Sequence, residues 1–327
     1  MIEEILPDLY RIEVTLPRSP LKYLNSYLIK AKGRFLLIDT GQNREECKHT
    51  LLSALERLAV DLEKTDIFIT HLHSDHLGLV SSLATETSKV YFNEKESFIE
   101  NATSPARVKH WQAVSMIYRS SGFPEDEAKK ATESHPGRRY GLKEDVKFTF
   151  KKEDDTIEIG DYLFRCVETP GHSPGHMCLY EANKKILVAG DHILFDITPN
   201  ITHWPEMDNS LKIYLESLEK VSALDINLVL PGHRRLLKDH RKRIRELQEH
   251  HQARADEVLS ALEDGGKTAY QVAQCVTWDI DCNSWEEFPP AQKWFAVGET
   301  IAHLEYLEGE GKVRRKTEED RIRFSLS

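Results

Sequence analysis

Short runs rich in apolar residues open the chain. Residues 9–14 (LYRIEV), 24–30 (LNSYLIK) and 34–38 (RFLLI) predict three strands, the last two joined by a tight turn at Lys32-Gly33. The pattern then changes. Over 44–59 the apolar residues Leu51, Leu52, Leu55 and Leu58 recur at helical spacing, so a helix should lead into a strand at 67–70. Further strands are predicted at 89–92, 146–150, 156–160, 162–168, 185–189 and 226–230. Strand–helix–strand order points to an α/β protein whose polar groups gather at the C-terminal ends of its strands.

Two stretches break this rhythm. Residues 93–145 are mostly polar and helix-like, interrupted at Pro105, Pro124 and Pro136-Gly137, and carry Trp111, Met116, Tyr118, Phe123 and Tyr140. They read as a helical insertion, either an ordinary core layer or a lid that shapes a substrate pocket. After about residue 238 a long amphipathic helix runs to Glu263 and stops at Gly265-Gly266. Helices at 268–276 and 290–307 and a pair of strands at 312–316 and 321–326 complete the chain.

Composition narrows the class. The 327 residues are 40% hydrophobic and 30% charged, enough for a sizeable core in one large or two smaller domains. A net charge of -10 argues against a surface that coats nucleic acid. No apolar stretch reaches 18 residues and the N-terminus shows no secretory pattern, so no membrane association is expected. Five scattered cysteines without a CxxC pair fit reduced thiols in the cytoplasm rather than a disulfide framework.

The chemistry concentrates in Thr70-His71-Leu72-His73-Ser74-Asp75-His76. In an extended segment His71, His73 and Asp75 would project to one side, and a helix beginning near Leu77 would lift His76 toward them. A polar turn with chance histidines is the bland alternative. Gathering these groups without a cation would leave several polar atoms to satisfy at once. Imidazole and carboxylate donors suit zinc first, with iron or manganese as alternatives. Three more strands end in turns bearing His or Asp: Thr169–His176 (TPGHSPGH), Gly190-Asp191-His192 and Pro231-Gly232-His233. Asp39, in Asp39-Thr40-Gly41 at another strand end, is either a turn residue or a carboxylate that orients an imidazole.

Together these motifs resemble the metallo-β-lactamase superfamily: THLHSDH at 70–76, PGHSPGH at 170–176, GD at 190–191, PGH at 231–233 and DTG at 39–41, in the family's order over roughly residues 5–240. The resemblance implies an αββα sandwich with two divalent metal ions along one edge. His71, His73 and His172 would hold the first ion, Asp75, His76 and His233 the second, and Asp191 would bridge them. Asp75, His76 and Asp191 are thus the residues expected to act in turnover. Asp39 and His176 would support from behind. Two nearby cations can bring a shared water toward neutral pKa, which implies hydrolysis by a metal-bound hydroxide. His73 stands where di-iron members of the family carry a carboxylate, which favours a hydrolase over oxygen chemistry, although mononuclear-iron dioxygenases share much of the motif.

The C-terminal helices and hairpin resemble the small winged-helix domain of a subgroup that includes the lactamase-β-like-2 proteins, which have ribonuclease activity. The chain therefore divides into a catalytic domain at 1–240, with the insertion at 93–145, and a winged-helix-like domain at 241–327. Residues 238–327 hold 14 basic and 18 acidic residues, so nucleic acid is disfavoured as a partner despite local runs at 241–245 and 314–316. Packing on the core or support of a homodimer are the preferred roles. GDHILF at 190–195 resembles the matching piece of hydroxyacylglutathione hydrolase-like proteins, which implies a thioester or ester small molecule as substrate. A metal-dependent single-strand endoribonuclease is the alternative. A winged-helix regulator that senses a ligand or metal ranks last.

Overall fold

The computed structural model describes residues 1–99 and 104–327, so residues 100–103 of the predicted insertion lie outside the described residues. The first sheet contains, in spatial order, β1 (Ile2–Leu6), β2 (Leu9–Thr15), β3 (Tyr23–Ala31), β4 (Arg34–Ile38), β5 (Thr65–Phe68), β6 (Val90–Asn93) and β7 (Phe148–Lys151). Pairing is antiparallel from β1 to β4 and parallel from β4 to β7. Parallel pairing requires crossovers, and helices supply them. They are α1 (Glu45–Arg57), then α2 (Ser74–Leu77) and α3 (Val80–Leu83), then α4 (Pro105–Ser120), α5 (Glu125–Ser134) and α6 (Pro136–Arg139).

The second sheet is built from β8 (Thr156–Ile159), β9 (Tyr162–Glu168), β10 (Met177–Glu181), β11 (Ile186–Gly190) and β12 (Leu228–Pro231), ordered β12-β11-β10-β9-β8. β11 and β12 run parallel across α7 (Ser210–Ser222), and the other pairs are antiparallel. The chain ends with α8 (His240–Ser260), α9 (Ala269–Ala273), α10 (Pro290–Gly309) and the hairpin β13 (Val313–Glu318) and β14 (Arg321–Leu326).

Period-two alternation makes the layers. Tyr27, Ile29, Leu36, Ile38 and Phe68 of the first sheet meet Phe164, Cys166, Leu179, Val188 and Leu230 of the second in one buried cluster. The intervening residues point outward: Leu28, Leu37 and Ile67 pack against Leu51 and Leu55 of α1, and Cys178, Leu187 and Val229 against Leu211, Leu218 and Leu247 of α7 and α8. The result is the expected αββα sandwich. Among the described residues no helix is long and apolar enough to cross a membrane.

The structure corrects several element assignments. β1, β10 and α7 carry no clear signal in the sequence. β10 (MCLYE) is buried at every position, so it lacks the alternation that marks a half-exposed strand. The strand expected at 67–70 is β5, ending at Phe68, and the next helix begins at Ser74, three residues before Leu77. The insertion also has a partner. Val114, Tyr118, Phe123 and Ala131 share a core with Val258, Tyr270, Trp294, Val297 and Phe324 of the C-terminal segment. Tyr118 stacks on Trp294 with ring centroids 3.7 Å apart, so it joins the insertion to that core, and both rings line a cleft there together with Phe123.

Candidate metal centre

Each predicted ligand follows a strand. His71 and His73 lie in the loop after β5, His172 and His176 between β9 and β10, Asp191 just after β11, and His233 just after β12. Asp75 and His76 lie on α2. The straight-strand picture of the HxHxDH run is therefore wrong in detail. The turn into α2 separates Asp75 and His76 from His71 and His73, and two groups form. His71, His73, His172 and Asp191 make one, and Asp75, His76 and His233 the other; within each group the donor atoms lie within 4.8 Å of one another. Asp191 faces both: its Oδ2 is 3.7 Å from His172 Nε2 and 3.5 Å from His233 Nε2, and its Oδ1 is 3.5 Å from His76 Nε2.

Backbone and side-chain bonds behind the rings fix which nitrogen faces inward. His172 Nδ1 donates to the Asn200 carbonyl at 2.9 Å and His233 Nδ1 to the Tyr23 carbonyl at 2.8 Å. His76 Nδ1 donates to Asp39 Oδ2 at 2.7 Å. In neutral rings the Nε2 lone pairs of these residues then point into the site. His71 Nε2 and His172 Nε2 both approach His73 Nδ1, at 3.0 and 2.9 Å. One ring nitrogen cannot satisfy two lone pairs with a single proton. Ligands about 2.0–2.1 Å from a tetrahedral ion stand roughly 3.3 Å apart, close to this spacing. His76 Nε2, His233 Nε2 and Asp191 Oδ1 are buried without a hydrogen-bond partner among the described residues. The donor set and its orphaned atoms fit two divalent cations.

Electrostatics agree. Burial, with neighbouring imidazoles, pushes His71 well below its ordinary value and His73 down to about 3, so both present neutral nitrogen. Burial also opposes charge on His233, yet Asp191 and Asp75 outweigh it and lift it to about 10. Asp75 falls to about 2: burial would raise it, but His233 and His76 prevail. Without cations, protons on His76 and His233 balance the carboxylates, and metal binding would displace them.

The supporting residues were only partly legible. Asp39 is both of its alternatives at once. It occupies the left-handed region at φ 58°, which Asp tolerates. Its carboxylate accepts from Thr70 N and Thr70 Oγ1, both at 2.9 Å, besides His76. His176 Nε2 accepts the Asp191 amide at 3.1 Å, and its Nδ1 bonds Thr169 Oγ1 at 2.8 Å. Gly232 is required by proximity: a Cβ there would overlap Asp191 Oδ1 and lie 2.8 Å from His76 Cε1. Asn200, Trp204 and Glu96 lie outside the motifs and escaped sequence reasoning, and Thr70, though it opens the THLHSDH run, was given no role. Trp204 Nε1 donates to the His172 carbonyl at 3.1 Å, and its ring stacks at 6.0 Å on His73, the half-buried member of the first group. Buried Glu96, raised to about 7 by burial, accepts from Ser173 Oγ and from Gly175 N at 3.0 Å, and so braces the His172 turn.

The profile described as Metallo-beta-lactamase superfamily matches residues 21–233, and one described as Metallo-beta-lactamase-like, C-terminal domain matches 255–327. The chain belongs to the metallo-β-lactamase superfamily. It is 25% identical over 309 residues to a Bacillus subtilis protein named "Probable metallo-hydrolase YqjP", covering 91% of this chain and 92% of that one. It is 23% identical to the atrochrysone carboxyl ACP thioesterase of Aspergillus fumigatus, over 79% of this chain and 69% of the relative. A crystal structure of a metallo-beta-lactamase family protein from Thermus thermophilus superposes with a TM-score of 0.82 at 28% identity, covering 99% of this chain and 100% of that one. Fold, profiles and relatives make the chain a metal-dependent hydrolase.

Proposed function

We propose that the chain hydrolyses a small-molecule thioester or ester with two divalent ions, zinc by ligand type, one in each donor group. The observation that carries this reading is the placement of Asp191 between His172 on one side and His76 and His233 on the other. When bound, such ions supply Lewis acidity and a water with pKa near neutrality. The chain's own part is orientation. Asp39, Asn200 and Tyr23 hold three imidazoles in the tautomer that presents a lone pair, and His176 fixes the Asp191 backbone. In the reaction, water oxygen joins the acyl carbon, the C–S or C–O bond breaks, and the leaving thiol or alcohol takes up a proton. A thiolate leaves readily, so no dedicated general acid is required. The named thioesterase relative supports the same substrate class.

The basic runs favour a small molecule over nucleic acid. Arg241 bonds the Ser222 and Leu224 carbonyls, Arg243 those of Leu194 and Ile197, and Arg315 and Lys316 pair with Glu308 and Glu318. All five cysteines are free thiols, which fits a reducing compartment such as the cytoplasm.

Elemental analysis of protein purified without added metal, paired with a chelator-sensitive screen of thioesters, esters, lactones and single-stranded RNA, tests the proposal. Two ions per chain and thioester or ester turnover lost on chelation are expected. RNA cleavage alone would refute the substrate class, and a metal-free active protein would refute the centre.

A further inference from the structure

The bonds that aim His172 continue into the C-terminal segment. The carbonyl that accepts His172 Nδ1 belongs to Asn200. The Asn200 side chain donates to Glu299 Oε2 of α10 at 2.8 Å. Glu299 is buried, 3.8 Å from Arg254 Nε of α8, and Arg254 is held in turn over the Trp278 ring at 4.2 Å. Two further contacts tie the same loop to α10. His203 N donates to the Gly298 carbonyl at 3.1 Å, and His203 Nδ1 bonds Glu305 Oε2 at 2.8 Å. At Gly298 the helix approaches so closely that a Cβ would overlap Thr202 Oγ1 and Tyr118 Oη. The loop's next residue, Trp204, holds the His172 carbonyl. Both hydrogen bonds that this loop makes to His172 thus come from a segment fastened to α10.

We propose that α10 positions the first donor group: Glu299, acting through Asn200, sets the ring of His172 toward His71, His73 and Asp191. The inference rests on the two-ion reading above. It gives the C-terminal segment a role in the centre without any contact to substrate. Glu299 acts here as a hydrogen-bond acceptor, and an amide oxygen can accept in its place.

The test uses the full chain, with zinc and cobalt titrated against a chromogenic chelator and thermal melts alongside. His172→Ala should lose one of two tightly held ions. Asn200→Ala keeps the carbonyl that accepts His172 Nδ1 but cuts its tie to Glu299, so that same ion should weaken about 10-fold, the low end of the effect of removing an orienting group outright. The other ion should stay at wild-type affinity, and the cobalt absorption spectrum of the weakened site should shift. Glu299→Gln should stay within about threefold of wild type, since its amide oxygen still accepts from Asn200, whereas Glu299→Ala should follow Asn200→Ala. A change in melting temperature alone, with both affinities intact, is what mere structural support would give and would overturn the inference. Loss of an ion in His172→Ala with unchanged binding in Asn200→Ala would overturn it while leaving the centre standing. Retention of both ions by His172→Ala would overturn the centre and this inference together.

Discussion

Asp39→Asn tests the centre from behind, without touching a proposed ligand. The substitution is nearly isosteric, and Asn is well suited to the left-handed backbone found at φ 58°. What changes is the hydrogen-bond sense. The Asp39 carboxylate accepts Thr70 N, Thr70 Oγ1 and His76 Nδ1, at 2.9, 2.9 and 2.7 Å. An amide has one acceptor oxygen. If it faces the Thr70 amide, its NH2 confronts His76 Nδ1, and the imidazole proton must move to Nε2, the atom that faces Asp191. If it turns over, the buried Thr70 amide loses its acceptor. A hydrogen bond to a charged group contributes about 1.5–3 kcal/mol, and an orphaned buried donor costs about 1–3 kcal/mol. At about 1.4 kcal/mol per factor of ten, the ion held by Asp75, His76 and His233 should weaken roughly 10–100-fold. Competition with a chromogenic chelator at fixed pH measures this directly. Wild-type affinity for both ions in Asp39→Asn would show that His76 is not held in its tautomer by Asp39, and the orientation argument would fall.

Gly232→Ala should abolish tight binding of at least one ion, because its methyl group would displace Asp191 or His76; a variant that keeps both ions by elemental analysis would contradict the geometry. Chelator-treated protein should lose stability as pH falls from about 6.5 to 4.5. Burial holds His135 at about 4 and His303 at about 3, so the unfolded chain, with imidazoles near 6.5, binds more protons in that window and stability rises with pH. Glu96 and Glu299, which burial lifts to about 7, and His76 and His233, which their carboxylate neighbours raise against burial, work in the opposite sense, but the imidazoles that burial lowers outnumber them. A melting temperature flat between pH 4.5 and 6.5 would refute this balance.

The legible part of the fold is the part with one wet face. β8, β9 and α1 show their periods because exposed residues mark the side away from the core. β10 lies between two layers and has no such contrast, and the stacking of Tyr118 on Trp294 joins residues far apart in sequence. The candidate centre was legible because its histidines and aspartates cluster in short motifs at strand ends. Its supports were not. Thr70, Asn200 and Glu96 are ordinary residues whose roles come from position alone, and nothing before folding distinguishes Asn200 from any other asparagine.

The shared core of the insertion and the C-terminal segment has a consequence for any attempt to dissect the chain. The polypeptide leaves the sandwich once after β6 and again after β12, and the two excursions clasp each other. A fragment cut near residue 240 would keep the sandwich strands yet present Val114, Tyr118, Phe123 and Ala131 to water as a contiguous greasy face. Such a face invites self-association. The clasp therefore also keeps an apolar face of each excursion away from water.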